Sequence, residues 1–165
     1  MPTLLRSLIL AVVLFLPTLN FAQQGPDTSL TLNVIVTASG DALFRAWDRG
    51  ASGFSVTPAV RPQRGQFLSA VVLFRGCQPD AAGNCNAEMD ITAYDPNGQK
   101  YGAMPNAELW RAKPAPSRGA TQLSRDYMGV VIEPGDPAGT YRVVVIARDL
   151  NARREATAET TFTVK

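Results

Sequence analysis

Residues 136–149 read DPAGTYRVVVIARD, and this segment determines how the rest of the chain is arranged. A turn signal at Pro137 and Gly139 leads into a run of β-branched residues, as is typical where a loop enters a strand. Residues 150–152 permit the chain to reverse its direction, and residues 153–165 alternate between apolar and polar side chains. The segment therefore predicts the closing hairpin of an antiparallel β-sandwich, to which the upstream strands are added.

The alternation within this hairpin predicts which side chains are buried. The inward face is expected to hold Tyr141, Val143, Val145, Ala147, Phe162 and Val164, together with the smaller Ala156 and Ala158. The outward face places Val144 and Ile146 between Arg142 and Arg148. Two aliphatic side chains in that position predict a cover, which is either a short helix over residues 41–49 or another protein.

Hydrophobic periodicity predicts the upstream elements. We expect strands over residues 29–37, 54–60, 67–75, 87–95, 99–104 and 126–133. The strand over residues 67–75 is apolar on both faces and should be covered on both, whereas Pro58 marks the strand over residues 54–60 as an edge strand. Residues 105–119 contain three prolines without a clear period and predict a long irregular connection.

A short helix is predicted over residues 41–49. Asp41 is a favourable acidic residue in its first turn. Leu43, Phe44 and Trp47 fall on one helical stripe. We interpret Trp47 as the side chain that docks this helix on the sheet.

The turn before Tyr141 resembles the turn into the sixth strand of immunoglobulin-like domains. There, an Asp and a small residue precede a Tyr whose hydroxyl bonds back to the backbone. Asp136, Ala138 and Tyr141 take these places here, whereas Val143 stands where antibody domains carry the second cysteine. The resemblance to bacterial immunoglobulin-like and fibronectin-like modules implies a structural tyrosine corner. It also implies an immunoglobulin-like β-sandwich, and nothing about function. With the helix predicted above, the expected fold class is all-β, an antiparallel immunoglobulin-like β-sandwich with a short N-terminal helix.

The first residues have the layout of a cleavable secretory signal. Arg6 precedes an unbroken apolar run over residues 8–16, Pro17 ends the run, and Ala22 lies before the expected cleavage site. The run is shorter than the ~20 residues that a membrane-spanning helix needs. We therefore expect a periplasmic or secreted protein with no stable membrane span after cleavage.

Three regions are expected. Residues 1–22 form the signal peptide, residues 23–53 form an N-terminal strand and short helix packed on the sandwich, and residues 54–165 form the sandwich itself. Cys77 and Cys85 are the two cysteines of the chain. In an exported protein, a lone close pair predicts a disulfide, which here would staple the tip of a hairpin.

Composition argues against nucleic acid as a partner and against catalysis. The formal net charge of +2 provides no strongly basic surface for nucleic acid. The absence of histidine removes the commonest general base and the commonest metal ligand. We therefore predict no catalytic residue, no metal site and no cofactor.

Residues 108–116 form the candidate binding segment. Trp110 lies beside Arg111 and Lys113 in a stiff, proline-bearing stretch that is typical of an exposed recognition loop. A sugar can stack on Trp110, or an acidic peptide can pair with the two cations. Alternatively, Trp110 plugs the edge of the sandwich and the charges are simply solvated.

Compartment and fold together favour an exported, non-enzymatic binding or scaffolding module whose partner is another exported protein or a glycan. Protein–protein binding is the leading expectation. Two alternatives stay open at this point. One is a hydrolase that acts on cell-wall or glycan substrates through a pair of carboxylates, and the other is an inhibitor that inserts the disulfide loop into a secreted enzyme.

Overall fold

The computed structural model describes residues 29–50 and 55–165. They form β1 (Thr31–Thr37), α1 (Gly40–Asp48), β2 (Phe67–Arg75), β3 (Asn84–Tyr94), β4 (Lys100–Pro114), β5 (Gln122–Leu123), β6 (Met128–Val131), β7 (Gly139–Asp149) and β8 (Arg154–Val164). The predicted signal peptide over residues 1–22 lies outside the described residues. No helix within the described ranges is long and apolar enough to cross a membrane.

Two antiparallel sheets pack face to face. In the first sheet, β2 pairs with β1 along one side and with β5 and β6 along the other. The second sheet has the strand order β4-β3-β7-β8, in which β7 and β8 form the C-terminal hairpin. This arrangement confirms the predicted fold class, an all-β, antiparallel immunoglobulin-like sandwich with a short helix near the start of the described residues.

The space between the sheets is filled by side chains that alternate inward along their strands. The first sheet contributes Val34, Val36, Leu68, Ala70, Val72, Phe74, Met128 and Val130, and the second contributes Ala87, Met89, Ile91, Ala93, Leu109, Tyr141, Val143, Val145, Ala147, Phe162 and Val164. The inward row predicted for β7 is buried, which confirms the parity expected for the hairpin. In β8, Phe162 and Val164 are buried, whereas Ala156 and Ala158 are only partly covered.

α1 lies on the outer face of the first sheet. Leu43 packs with Val71 and Leu123, and the side chains of Phe44 and Trp47 flank this contact. The opposite face of β2 lies in the core between the sheets. β2 is therefore covered on both faces, as its uniformly apolar sequence predicts.

The helix approaches β2 closely at its first residue. Gly40 is buried, and a Cβ atom at this position would collide with the side chain of Ser69. The helix starts with a hydrogen bond from the Leu43 amide to the Ser39 carbonyl at 3.0 Å. It ends before Gly50, whose φ of 72° suits a glycine after a helix. A glycine at the first position thus allows the helix to sit directly on the strand.

The edge strand predicted over residues 54–60 is wrong in its described part, which forms no strand. This segment crosses between the sheets instead. The Ala59 amide donates to the Val36 carbonyl at 2.7 Å, and the Thr163 amide donates to the Val60 carbonyl at 3.0 Å. These two bonds join β1 to β8 and close one side of the sandwich. Pro58 has no N–H group and could not donate a hydrogen bond within a strand pair. The neighbouring backbone groups instead form hydrogen bonds with both sheets.

Two further predictions are wrong, namely the short strand over residues 99–104 and the irregular connection over residues 105–119. One long strand, β4, extends through Pro114. Its pairing with β3 shifts register at several points, and Asn106 and Ala112 adopt positive φ angles of 54° and 48°. These irregularities break the two-residue period of the strand, which is why the sequence shows no strand pattern there.

Replacing Gly40 with Ala should destabilise the protein by about 1–3 kcal/mol, because the added methyl group meets Ser69 in a packed layer. Urea unfolding followed by circular dichroism measures this loss. In a Ser69→Gly background the obstacle is absent, and adding Gly40→Ala should then cost little. If the Gly40→Ala variant alone were as stable as the unmodified protein, the helix would not approach β2 this closely.

Candidate functional site

A cleft of about 210 Å³ opens between α1 and the edge strand β4. Its apolar walls are Phe44, Trp47, Trp110 and Leu123, and its polar rim is Asp48, Lys113, Ser124 and Arg125. The chain contains two tryptophans, and both line this cleft. We call it the tryptophan cleft.

Trp110 reaches the cleft from β4. A register shift in the pairing of β4 with β3 lets the neighbouring residues Leu109 and Trp110 both contact the core. The Trp110 ring packs against Phe74, with 5.6 Å between the ring centroids. Its Nε1 donates to the Pro114 carbonyl at 2.9 Å. Trp110 therefore covers the edge of the sandwich and also forms a wall of the cleft.

Lys113 is held at the rim of the cleft by two interactions. Its Nζ lies 2.6 Å from Glu108 Oε1 and 5.1 Å from the centroid of the Trp110 ring. The hydrogen bond from Lys113 holds the pKa of the Glu108 carboxyl below its usual value. Arg111 is exposed, and its guanidinium lies 3.5 Å from the carbonyl oxygen of Asn106. Of the three predicted binding residues, Trp110 and Lys113 come together at the cleft and Arg111 does not line it.

The opposite wall is fixed by the packing of α1. The Phe44 ring lies 4.8 Å from the ring of Tyr127, measured between centroids. The Tyr127 hydroxyl donates to Asp41 Oδ1 at 3.0 Å. At the rim, Arg125 Nη1 lies 3.9 Å from Asp48 Oδ1, and both side chains of this pair are largely exposed. Contacts within the chain therefore hold both walls of the cleft.

The role of Trp47 in this cleft was not predicted from the sequence. Trp47 packs beside Leu43 and Val71, as expected for a residue that docks the helix, and it also lines the cleft. No local pattern relates it to Trp110, because the two residues belong to elements that lie on different sheets. Their proximity depends on how the sheets meet at this edge.

Cys77 and Cys85 form the predicted disulfide. The loop that it closes is tied to the β7–β8 turn by Asp149, which is 1% exposed. One carboxylate oxygen of Asp149 accepts the Gln78 amide at 2.7 Å, and the other accepts the Asn151 amide and the next amide of the turn at 3.1 Å each. The disulfide loop is therefore anchored to the body of the sandwich.

The end of the sandwich near Tyr141 is held by hydrogen bonds. The Tyr141 hydroxyl donates to the Pro137 carbonyl at 2.8 Å. Asp136 does not share this bond, since its carboxylate accepts the Glu133 amide at 2.7 Å and the Tyr101 hydroxyl. The bond from Tyr101 lowers the pKa of the Asp136 carboxyl, whereas burial, together with this bond, raises the pKa of Tyr101. These contacts stabilise the turn that leads into β7.

The outer face of the second sheet carries a half-buried charge cluster. Arg148 bonds to Glu88 at 3.0 Å and to the two oxygens of Asp90 at 2.8 and 3.0 Å. The hydrogen bond from Arg148 lowers the pKa of the Asp90 carboxyl. Because α1 lies on the other sheet, it does not cover Val144 or Ile146, and Ile146 is 37% exposed. Of the two covers considered for this face, the helix is excluded.

No protein-family model and no curated protein sequence matches the chain. Among solved structures, it is similar to a Niemann-Pick type C2 protein from Japanese carpenter ant, with 9% identity, a TM-score of 0.43, and coverage of 86% of this chain and 96% of that chain. It is also similar to a family 123 glycoside hydrolase from Clostridium perfringens, with 9% identity, a TM-score of 0.39, and coverage of 82% of this chain and 27% of that chain. At these values, neither similarity bears on the function of this chain.

Replacing Asp149 with Ala should lower the free energy of unfolding by about 3 kcal/mol, because three backbone amides lose a buried acceptor. Urea unfolding measures this loss. Asp95 is the matched control, since its carboxylate accepts the amides of Asn97 and Gln99 in an exposed turn. Asp95→Ala should cost only about 1 kcal/mol, because water replaces the lost acceptor. Equal losses in the two variants would argue against a special role for the buried carboxylate.

Acid should destabilise the protein partly through Asp90. Its pKa is lowered in the folded state, so the bond to Arg148 stabilises the fold above the unfolded pKa, and this contribution is lost as pH falls through the folded pKa. Asp90→Asn should therefore show a smaller drop in melting temperature than the unmodified protein between about pH 5 and about pH 2. Glu159→Gln, which removes an exposed pair with Arg142, is the control and should follow the unmodified protein. Parallel profiles for all three proteins would contradict the prediction.

Proposed function

We propose that the protein is an exported, non-enzymatic binding module that holds its ligand in the tryptophan cleft. The observation that supports this most directly is that Trp47 and Trp110, distant in sequence, line one cleft whose walls are held by contacts within the chain. Preformed and partly apolar clefts with a few polar groups are the usual sites of ligand binding. Tryptophan is also enriched among the residues that dominate binding energy.

Three carboxyl groups have pKa values shifted in the direction opposite to that of a catalytic acid. A hydrolase that acts through two carboxylates needs one carboxyl group with a raised pKa to serve as the acid. Within the described residues, the carboxyl groups with a shifted pKa are Asp90, Glu108 and Asp136. Each shift is downward, because each carboxylate accepts a hydrogen bond from a neighbouring cation or hydroxyl. These three groups favour the ionised form and are unsuited to the role of acid.

The sequence of residues 1–22 and the Cys77–Cys85 disulfide support export to the periplasm or the exterior. In that compartment, the module binds another exported protein or a glycan. The N-terminal strand and helix belong to the same unit as the sandwich, because β1 pairs with β2 along its whole length. We therefore assign ligand binding to the entire chain after the signal peptide. One wall of the cleft comes from α1, which directly follows β1.

Capture from the exported fraction of the source cells tests this proposal. Immobilised protein should retain a component that the Trp47→Ala variant retains at least tenfold less, since the substitution removes one aromatic wall of the cleft. Circular dichroism establishes that the variant is folded. Phe67→Ala is the matched control, because Phe67 is an aromatic side chain that is 51% exposed. It lies at the opposite end of β2 from Leu73, the residue that pairs with Leu123 of the cleft.

The control variant should retain the same component as the unmodified protein. Equal retention by Trp47→Ala would overturn the cleft as the binding site and would direct attention to the loop closed by Cys77 and Cys85. Retention of no component at all would overturn the binding function. Turnover of a cell-wall or glycan substrate by the purified protein would overturn its non-enzymatic character.

A further inference from the structure

We infer that the ligand of the tryptophan cleft is an uncharged saccharide, bound through one of its sugar rings. This inference rests on the proposed binding function and adds the chemical class of the ligand. Three features of the cleft carry it: the aromatic walls, the paired charges of the rim, and the internal hydrogen bond made by the Trp110 ring.

The walls and the rim match the two kinds of surface on a sugar ring. Such a ring presents apolar C–H groups on its faces and hydroxyl groups around its edge. Phe44, Trp47 and Trp110 supply flat apolar surfaces, while Asp48 and Lys113 are among the charged groups at the rim. The volume of about 210 Å³ lies below the roughly 300–1,000 Å³ of pockets for drug-sized ligands. A cleft of this size suits a small group such as one sugar ring.

Each cation of the rim is paired with a carboxylate. Lys113 lies 2.6 Å from Glu108, and Arg125 lies 3.9 Å from Asp48. An anionic ligand at Lys113 would lie close to the Glu108 carboxylate, whose side chain is 25% exposed, and the two negative charges would repel each other. Hydroxyl groups can donate to the carboxylates and accept from the cations without separating either pair. The charges therefore favour a neutral, hydroxyl-rich ligand over an acidic peptide.

The hydrogen bond of Trp110 removes one of the donors that a proline-rich peptide, the other common ligand of aromatic grooves, would use. The backbone carbonyls of a polyproline segment are not bonded within the segment and need donors from the protein. The Nε1 of Trp110 already donates to the Pro114 carbonyl at 2.9 Å. Trp110 is left with ring carbon atoms to offer, and these suit the C–H face of a sugar.

The position of the tryptophans also makes the inference directly measurable. Because both tryptophans of the chain line the cleft, intrinsic fluorescence reports on this site without a label. Short neutral oligomers of glucose and of N-acetylglucosamine are the probes. At least one of them should produce a saturable change in tryptophan fluorescence. Its affinity should be the same at low and high salt, because a neutral ligand gains nothing from long-range charge attraction.

Two variants locate the binding. Trp47→Ala should weaken saccharide binding at least tenfold, as followed by the remaining fluorescence of Trp110 and by calorimetry. Phe67→Ala should bind as the unmodified protein does, since Phe67 does not line the cleft. Equal affinity in the Trp47→Ala variant would place the saccharide elsewhere and overturn the inference.

Polyglutamate and polyproline peptides are the competing probes. Saturable binding of either peptide, with no response to the oligosaccharides, would overturn the saccharide inference and leave the proposed binding function intact. The same conclusion holds if capture from the exported fraction depends on Trp47 but is not competed by the oligosaccharides. If no probe binds and no component is captured, the inference and the proposed function both fail.

Discussion

The apolar character of β2 on both of its faces is the constraint on which the rest of the structure depends. Leu68 and Phe74 face the second sheet, whereas Val71 points to the opposite side and would meet water if no other element covered it. α1 supplies this cover through Leu43, and burying side chains of this size contributes roughly 1.5–3 kcal/mol each. The position of α1, and with it the position of Trp47 at the cleft, follows from the second apolar face of β2.

The cleft also requires that the two sheets meet at a closed edge. The Ser124 amide donates to the Val72 carbonyl at 2.8 Å, and the Asp126 amide donates to the Glu108 carbonyl at 3.1 Å. One short segment is thereby bonded to β2 of the first sheet and to β4 of the second. These bonds keep the wall formed by α1 and the wall formed by Trp110 in a fixed relation. A site that is ordered before its ligand arrives loses less conformational entropy on binding.

Charged side chains contribute unequally to this fold, according to their burial. The pair between Arg142 and Glu159 is exposed, and pairs of this kind contribute at most about 1 kcal/mol. Arg148 is more enclosed and bonds two carboxylates at once, so salt screens it less. Asp149 is almost fully buried, and its carboxylate accepts hydrogen bonds from three backbone amides. Asp149 therefore contributes more to the stability of the fold than the exposed pair between Arg142 and Glu159 does.

The amino-acid sequence by itself determined the sandwich class, the buried row of β7, the short helix and the disulfide. Each of these depends on strict alternation, on a helical stripe or on a close pair of cysteines, and such patterns are local. Only the tertiary structure decided the course of residues 55–60, whose backbone partners are far away in the chain, and of residues 105–114, where bulges break the alternation. It also decided the cleft, because the packing of two sheets brings Trp47 and Trp110 to the same cleft. The proximity of side chains that are distant in sequence leaves no periodic signal in either segment.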